Sequence, residues 1–294
     1  MTRNMKKGKI VGIGELLWDV FPDGRVLGGA PANFAYHASQ FGFEGCAVSA
    51  VGNDALGREI LDTLSEKGLK HMVACVDYPT GTVQVTLDRN GVPQYEICEG
   101  VAWDNIPFTA EMEGLAADCA AVCFGTLAQR SEVSRATINR FLDLVPAGAC
   151  RIFDINLRQH YYDREVISDS LRKSNILKIN DDEVAAVARL FGMTGMTEQQ
   201  VCMRLLKEYG LGMVIETKGA AGSWVFTAGE TSYIDTPRVD VADTVGAGDS
   251  FTGAFIAVLL SGGSLRRAHR SAVDVSAYVC TQKGAMPAIP ASFI

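Results

Sequence analysis

One stretch near the C-terminal end of the sequence has residue types that could bind an anion and move a proton. It is Asp243-Thr244-Val245-Gly246-Ala247-Gly248-Asp249-Ser250-Phe251, and it is followed by an apolar helical face made of Phe251, Ala254, Phe255, Val258 and Leu259. Backbone N–H groups at a helix start lack partners and lie at the positive end of the dipole, so Gly246, Ala247 and Gly248 could bind phosphate or an oxyanion. Asp249, in the first turn, could then accept a proton beside that anion. The alternative is that Asp249 only stabilises the helix start and the glycines only turn the chain.

A second glycine-rich element, Gly28-Gly29-Ala30-Pro31-Ala32-Asn33, also precedes a helix pattern. Pro31 suits the first turn of that helix, whereas Asn33 lies inside it, where asparagine has a poor propensity. A side chain that binds ligand hydroxyl groups would explain Asn33. An asparagine that is hydrogen-bonded within the core would explain it nearly as well.

The elements that must position these loops alternate between strand and helix along the chain. Strands are predicted for residues 9–13, 45–51, 150–153, 176–179 and 213–216. Helices are predicted after Pro31, after Asp54 with a stop at Gly68, and around the period of Ile138 and Phe141. This alternation is typical of an α/β protein with a mainly parallel sheet and helices on both faces. We expect one domain over residues 1–294.

Two antiparallel segments interrupt the alternation. In one, Val83, Val85 and Leu87 alternate with other residues and Asn90-Gly91 supplies a type I′ turn, which predicts a hairpin. The other short β-like piece surrounds residues 16–26. We expect a small lid, formed by residues 15–27 and 82–103, over the edge of the sheet where ligands bind. Exposed lid strands could also pair between subunits, which would give a homodimer.

Composition excludes several functional classes. The chain has 294 residues and a net charge of −7, with 27 basic and 34 acidic side chains, which argues against nucleic acid as the main ligand. No apolar run is long enough to span a membrane. The cysteines form no C-x-x-C pair, and those in apolar runs, such as Cys119 and Cys123, predict buried thiols in a reducing, cytoplasmic setting. The third glycine of a dinucleotide fingerprint is replaced by Leu17, which argues against a dehydrogenase. No P-loop motif occurs in the sequence, which excludes a P-loop enzyme.

The two glycine-rich elements together resemble the paired signatures of the ribokinase-like (PfkB) family of carbohydrate kinases. Residues 14–22, 125–130 and 154–160 are also similar to segments of bacterial fructokinases within that family. The resemblance covers essentially the whole chain. It implies a ribokinase-like fold, with ATP and Mg²⁺ as cofactors.

The resemblance also implies roles for individual residues. Asp249 matches the catalytic base, and Gly246, Ala247 and Gly248 match the anion hole around the transferred phosphoryl group. The residues that match sugar-binding positions are Asp19, Gly28, Gly29 and Asn33. Those that match nucleotide-binding positions are Asn180, Thr217, Gly219 and Gly222. Glu183 matches a residue that organises Mg²⁺ through water, and the loops with Asp243, Val245 and Gly284 resemble a monovalent-cation site, which would take K⁺.

Two further residues have competing interpretations. Arg158, at the carboxyl end of a strand, could bind substrate or phosphate, or could pair with a surface carboxylate. Trp103 could stack on the sugar or could simply pack in the interior. The expected function is transfer of the γ-phosphoryl group of ATP to a primary hydroxyl of a sugar, D-fructose in the first place. The alternatives are a related kinase for another ketose, a keto-deoxy sugar acid or a nucleoside, and a catalytically silent sugar-binding regulator.

Overall fold

The computed structural model describes residues 8–22, 24–87 and 93–294. The strands are β1 (Lys9–Ile13), β2 (Leu17–Phe21), β3 (Gly24–Gly28), β4 (Glu44–Gly52), β5 (Lys70–Val76), β6 (Gly81–Leu87), β7 (Pro93–Ile97), β8 (Cys119–Phe124), β9 (Cys150–Asp154), β10 (Ile176–Asn180), β11 (Met213–Thr217), β12 (Ser223–Phe226) and β13 (Thr231–Ile234). The α-helices are α1 (Ala30–Ser39), α2 (Ala55–Glu66), α3 (Ala110–Ala117), α4 (Glu132–Leu144), α5 (Arg164–Lys173), α6 (Asp181–Leu190), α7 (Glu198–Glu208), α8 (Ala247–Leu260) and α9 (Leu265–Cys280).

The large sheet has nine strands within the described residues, in the order β13-β12-β11-β10-β9-β8-β1-β4-β5. Strands β11 to β5 in that order are parallel to their neighbours, and β12 and β13 are antiparallel at one edge. The α/β prediction is confirmed. Because parallel strands all end at the same edge, the residues that follow β1, β8, β9, β10 and β11 come close together there.

Successive residues of each strand point to opposite faces of this sheet, so the hydrophobic core consists of two clusters, one on each face. Val11 and Leu177 contribute to one cluster, which also takes in α4 to α7. Ile10 and Ile176 contribute to the other cluster, which takes in α1, α2, α8 and α9. Strands buried on both faces read as near-continuous apolar runs, and this is why five of them could be recognised in the sequence.

The helix boundaries follow local capping chemistry. The side chain of Asp54 accepts a hydrogen bond of 2.8 Å from the N–H of Gly57 and so caps α2. Gly68, just beyond the end of α2, has φ 68°, a left-handed conformation that glycine adopts readily. Both signals were correctly interpreted from the sequence.

The two antiparallel segments form one four-stranded sheet in the order β3-β2-β6-β7. Strands β6 and β7 pair antiparallel, as the alternation of Val83 and Val85 predicts, and β2 and β6 pair in parallel. The proposed Asn90-Gly91 turn lies outside the described residues. Beyond β7, residues Ala102–Asn105 form a short 3₁₀ turn rather than a strand.

Candidate active site

The two glycine-rich elements meet at the start of α8. Gly246 precedes the helix with φ 77°, and a Cβ there would lie 2.6 Å from the carbonyl oxygen of Ala285, so only glycine fits. Asp249 lies in the first turn of α8, and Asn33, inside α1, donates from Nδ2 to Asp249 Oδ2 at 2.7 Å. The structure therefore places Asp249, the predicted base, in the first turn of a helix that begins with small residues. It also places Asn33, whose position inside a helix was unexplained, in contact with that base.

A buried ion pair lies directly behind this helix start. Lys178 in β10 and Asp154 at the end of β9 are register partners, and their Nζ and Oδ1 atoms are 3.1 Å apart. A Cβ on Gly248 would lie only 2.9 Å from Lys178 Nζ, so the ammonium group is adjacent to the glycine loop. Sequence reasoning missed both residues. The available signal was a lysine inside the apolar strand Ile176-Leu177-Lys178-Ile179, because a buried lysine needs an acidic partner.

These surroundings set the proton affinity of Asp249. Burial by the surrounding protein raises the pKa of Asp249 to about 6, and the charge of Asp154 adds to the rise. The hydrogen bond from Asn33 and the charge of Lys178 act in the opposite direction. Burial alone would lower the pKa of Lys178, but Asp154 and two further carboxylates raise it above its ordinary value. At neutral pH the site therefore holds an ionised but basic carboxylate and a charged ammonium group.

Two predicted sugar-binding residues, Asp19 and Gly28, lie close together, and the charge of Arg158 links Asp19 to Asp249. Asp19 lies in β2, and a Cβ on Gly28 would be 2.7 Å from its Oδ2 atom, so this glycine leaves room for the carboxylate. Burial raises the pKa of Asp19 to about 6, and the positive charge of Arg158 opposes that rise. Arg158 also lowers the pKa of Asp249. Arg158 is thus electrostatically close to both carboxylates, although its side chain is exposed.

Glu15 is a further carboxyl group in this region that sequence reasoning did not single out. Its side chain is buried, and burial raises its pKa to about 7. Within the described part of the chain, Glu15 Oε2 and Asn33 Oδ1 are buried without a hydrogen-bond partner. Unsatisfied buried acceptors are rare in folded proteins, and a ligand rich in hydroxyl groups would satisfy them.

The predicted nucleotide-binding residues lie at the ends of the next two strands. Asn180 ends β10 and caps α6, and its Oδ1 accepts from the N–H of Glu183 at 2.9 Å. Thr217 ends β11, and Gly219 and Gly222 follow in a tight turn with φ of 50° and 99°. Because β10 and β11 are neighbours, these residues share one end of the site.

Glu183 has a visible structural role. Its two carboxylate oxygens accept hydrogen bonds from the N–H groups of Asn180 at 2.8 Å and Leu157 at 2.9 Å. No group of three His, Cys, Asp or Glu side chains suited to direct metal binding occurs in residues 8–22, 24–87 and 93–294. Because both oxygens of Glu183 already accept backbone hydrogen bonds, a magnesium ion here would meet this carboxylate through water, which suits Mg²⁺.

The three residues of the predicted cation site are in contact. Asp243 accepts from the N–H of Val245 at 3.0 Å through Oδ1 and from the N–H of Gly284 at 3.0 Å through Oδ2. The carboxylate thus joins the loop before α8 to the segment after α9.

Trp103 is a buried residue, which bears on its two interpretations, stacking on the sugar or packing in the interior. It is 0% exposed, and its indole ring packs against the guanidinium group of Arg130. A ring without any solvent-accessible face offers no surface to a sugar in this conformation. The position of Trp103 in this structure agrees with the packing interpretation.

One protein-family profile matches almost the whole chain. The profile described as "pfkB family carbohydrate kinase" matches residues 14–292. The chain belongs to the pfkB family of carbohydrate kinases. The resemblance drawn from the glycine-rich elements is therefore confirmed across the chain.

Known relatives of this pfkB kinase match over nearly their full lengths. An ATP-dependent 6-phosphofructokinase from Thermoanaerobacterium thermosaccharolyticum is 28% identical over 308 residues, covering 97% of this chain and 92% of that protein. A fructokinase from Klebsiella pneumoniae is 28% identical, covering 96% of both chains. A crystal structure of a putative ribokinase II from E. coli, in complex with ATP and Mg²⁺, superimposes with a TM-score of 0.80 at 22% identity, covering 95% of this chain and 94% of that one. In the described residues of this pfkB kinase, no helix has the length and hydropathy needed to cross a membrane.

Proposed function

We propose that this pfkB kinase transfers the γ-phosphoryl group of ATP to a primary hydroxyl of a neutral sugar, with D-fructose as the first candidate and fructose 6-phosphate as product. The observation that carries the proposal is the contact between Asn33 and Asp249 at the glycine-rich start of α8. It places a proton acceptor and a set of backbone donors within one small volume, as phosphoryl transfer requires.

The chemistry follows from this placement. Asp249 accepts the proton of the attacking sugar hydroxyl while the hydroxyl oxygen forms a bond to the γ-phosphorus. The bond from the γ-phosphorus to the bridging oxygen breaks, and ADP leaves with that electron pair. Backbone N–H groups at the start of α8 and the ammonium group of Lys178 stabilise the charge on the transferred group, since donors aimed at developing charge act strongly in a site shielded from water.

Nucleotide and metal would lie at the β10 and β11 end of the site. Thr217 and the turn with Gly219 and Gly222 offer backbone donors to the phosphates, and Asn180 lies beside them. Bound Mg²⁺ supplies charge neutralisation on the phosphates. The four-stranded sheet would act as the lid that keeps water away from the γ-phosphate. K⁺ would bind by the Asp243 loop, where backbone carbonyls serve as its ligands.

The charges around the sugar site favour an uncharged acceptor. Asp19, Glu15 and Asp249 are three carboxyl groups of this region, and among the described residues Arg158 is the cation whose charge lowers the pKa of all three. A sugar that already carries a phosphate would meet repulsion there. Fructose 6-phosphate is nevertheless the second candidate acceptor, because the 6-phosphofructokinase from T. thermosaccharolyticum is 28% identical to this chain.

The test is an ADP-release assay with ATP and Mg²⁺ over a panel of acceptors, with and without K⁺. The panel contains fructose, fructose 6-phosphate, ribose, a keto-deoxy sugar acid and a nucleoside, and Asp249→Asn is the matched inactive control. We expect the highest kcat/KM with fructose and a loss of about 10²–10⁴-fold in the control. A preference for fructose 6-phosphate would establish the second candidate. Near-normal turnover by Asp249→Asn would refute the assignment of the base.

A further inference from the structure

Arg130 lies at a junction that the proposed chemistry does not use. We call the Arg130 junction the set formed by Arg130, Asp104, Trp103, Tyr161 and the carbonyl group of Cys98. Arg130 donates from Nε to Asp104 Oδ1 at 2.8 Å and from Nη2 to Asp104 Oδ2 at 2.9 Å. Its Nη2 also donates to the carbonyl oxygen of Cys98 at 2.6 Å. Both charged side chains are only 7% exposed.

Two aromatic rings enclose the same guanidinium group. Its central carbon lies 4.0 Å from the ring centre of Trp103 and 4.7 Å from that of Tyr161. The hydroxyl of Tyr161 also donates to Glu99 Oε1 at 2.7 Å. A planar guanidinium that is bonded in its plane and stacked on rings has one well-defined position, and lysine cannot reproduce that geometry.

The junction joins two segments that are distant in sequence, the end of β7 and the loop that carries Arg158. Cys98 and Glu99 directly follow β7, the end strand of the four-stranded sheet. Tyr161 belongs to the loop that carries Arg158, and its N–H donates to the carbonyl of Arg158 at 3.0 Å. In that loop Asn156 and Gln159 have φ of 41° and 48°, a conformation that non-glycine residues keep only where surrounding contacts impose it.

We infer that Arg130 is a positioning residue, which fixes the Arg158 loop against the base of the four-stranded sheet through Tyr161 and Cys98 and thereby sets the sugar-facing side of the site. The inference rests on the proposed function, because Arg158 and the lid act there on the sugar. A buried ion pair that served stability alone would affect the unfolding temperature but would leave the balance between sugar and nucleotide binding unchanged.

Two variants test the link without removing the partner of Asp104. Arg130→Lys keeps a positive charge beside Asp104 but loses the two-pronged contact and the stacking. Tyr161→Leu removes the ring and the hydroxyl from a half-buried position and leaves the ion pair intact. The matched control is Arg140→Met, since Arg140 also stacks at 4.0 Å on a ring, that of Phe108, but pairs with an exposed Glu113 on the outer surface.

We expect both test variants to raise the KM for the sugar by about 10- to 100-fold, because small misplacements of binding groups cost that much. The KM for ATP should change by less than about twofold, since the nucleotide lies at β10 and β11. The ratio of ATP hydrolysis to sugar phosphorylation should rise as the lid closes less tightly. The double variant should be little worse than either single variant, because the two residues act through one contact. Folded variants with an unchanged sugar KM and hydrolysis ratio would overturn the inference.

Hydrogen exchange separates this inference from the proposed function. In the apo protein, Arg130→Lys and Tyr161→Leu should both speed amide exchange in residues 97–105 and in 156–162, and Arg140→Met should not. Exchange in 156–162 that is unaffected by Arg130→Lys would overturn the link, whatever the substrate. Faster exchange in a protein that phosphorylates none of the tested acceptors would support the link and refute the proposed function instead.

Discussion

The hydrogen bond from Asn33 to Asp249 gives a quantitative prediction for the pH dependence of catalysis. Asn33 donates to Asp249 at 2.7 Å, and this bond favours the ionised carboxylate. Asn33→Leu replaces the amide by a side chain of similar size without a donor. The carboxylate then loses a partner while burial and the charge of Asp154 still favour its protonated form.

The size of the shift follows from the strength of the lost bond. A hydrogen bond to a charged group contributes about 1.5–3 kcal/mol, and one pKa unit corresponds to about 1.4 kcal/mol. Water can reach the half-buried carboxylate and restore part of this. We therefore expect the pKa of Asp249 to rise from about 6 to about 7 in the variant. A base must be ionised. As the pH is lowered, the variant should therefore lose activity about one pH unit above the point at which the wild type loses it.

The assay is kcat/KM for the sugar between pH 5 and pH 9, because this parameter reports groups of the free enzyme. ATP titrates in the same range, but it does so equally for both proteins, so the difference between the two profiles is the measured quantity. Asn33→Asp provides a graded comparison, since a second carboxylate in contact should move the acid limb higher still. An acid limb of Asn33→Leu that coincides with the wild type, or lies below it, would refute the reasoning.

Three other substitutions probe separate parts of the molecule. Asp19→Ala should raise the KM for the sugar about 10-fold or more while the KM for ATP stays within about twofold, because buried hydroxyl partners left unpaired cost about 1–3 kcal/mol; unchanged sugar kinetics would show that Asp19 does not contact the sugar. Lys178→Met should lower kcat by about 10²–10³-fold and, by leaving Asp154 unpaired, destabilise the fold by about 3–5 kcal/mol; adding Asp154→Asn should restore the unfolding midpoint but not turnover. Glu216 is buried, and burial first and then the charge of Glu198 raise its pKa to about 7. The fold thus favours its protonated form and loses stability as the pH rises from about 4.5 to about 7, so Glu216→Gln should stabilise the protein by about 1–3 kcal/mol at pH 8 and not at pH 4; equal urea midpoints at pH 8 would contradict this.

Local signals in the sequence predicted several of the elements and the start of α8 correctly. The caps at Asp54 and Gly68 and the small residues 246–248 act through their immediate neighbours, so one sequence is enough to interpret them. The hairpin of β6 and β7 was predicted for the same reason. The parallel pairing of β2 with β6 was not, because it joins strands that are far apart in the chain and depends on how the two segments fold together.

The missed parts of the site depend on strand order. Lys178 and Asp154 meet because β9 and β10 are adjacent, and nothing local to either residue specifies that neighbour. Trp103 had two interpretations from its position beside the lid, and the one that holds in this structure depends on Arg130, on which its ring packs and which is 27 positions further along the chain. Asn33 was interpretable only as one of two alternatives until its contact with Asp249 was known.

The carboxylate of Asp243 bonds to the N–H of Gly284, and Gly246 packs against Ala285, so the shape of the α8 tip is completed from outside its own stretch of chain. His37 in α1 also contacts this segment, because its Nε2 atom lies 2.8 Å from the carbonyl oxygen of Ala285. Changes in the segment after α9 are therefore expected to affect the active site. A fusion partner or affinity tag inserted at residue 283 would displace Gly284 and Ala285 from the start of α8 and lower the activity. The same insert at residue 229, in the exposed connection between β12 and β13, would leave the activity unchanged.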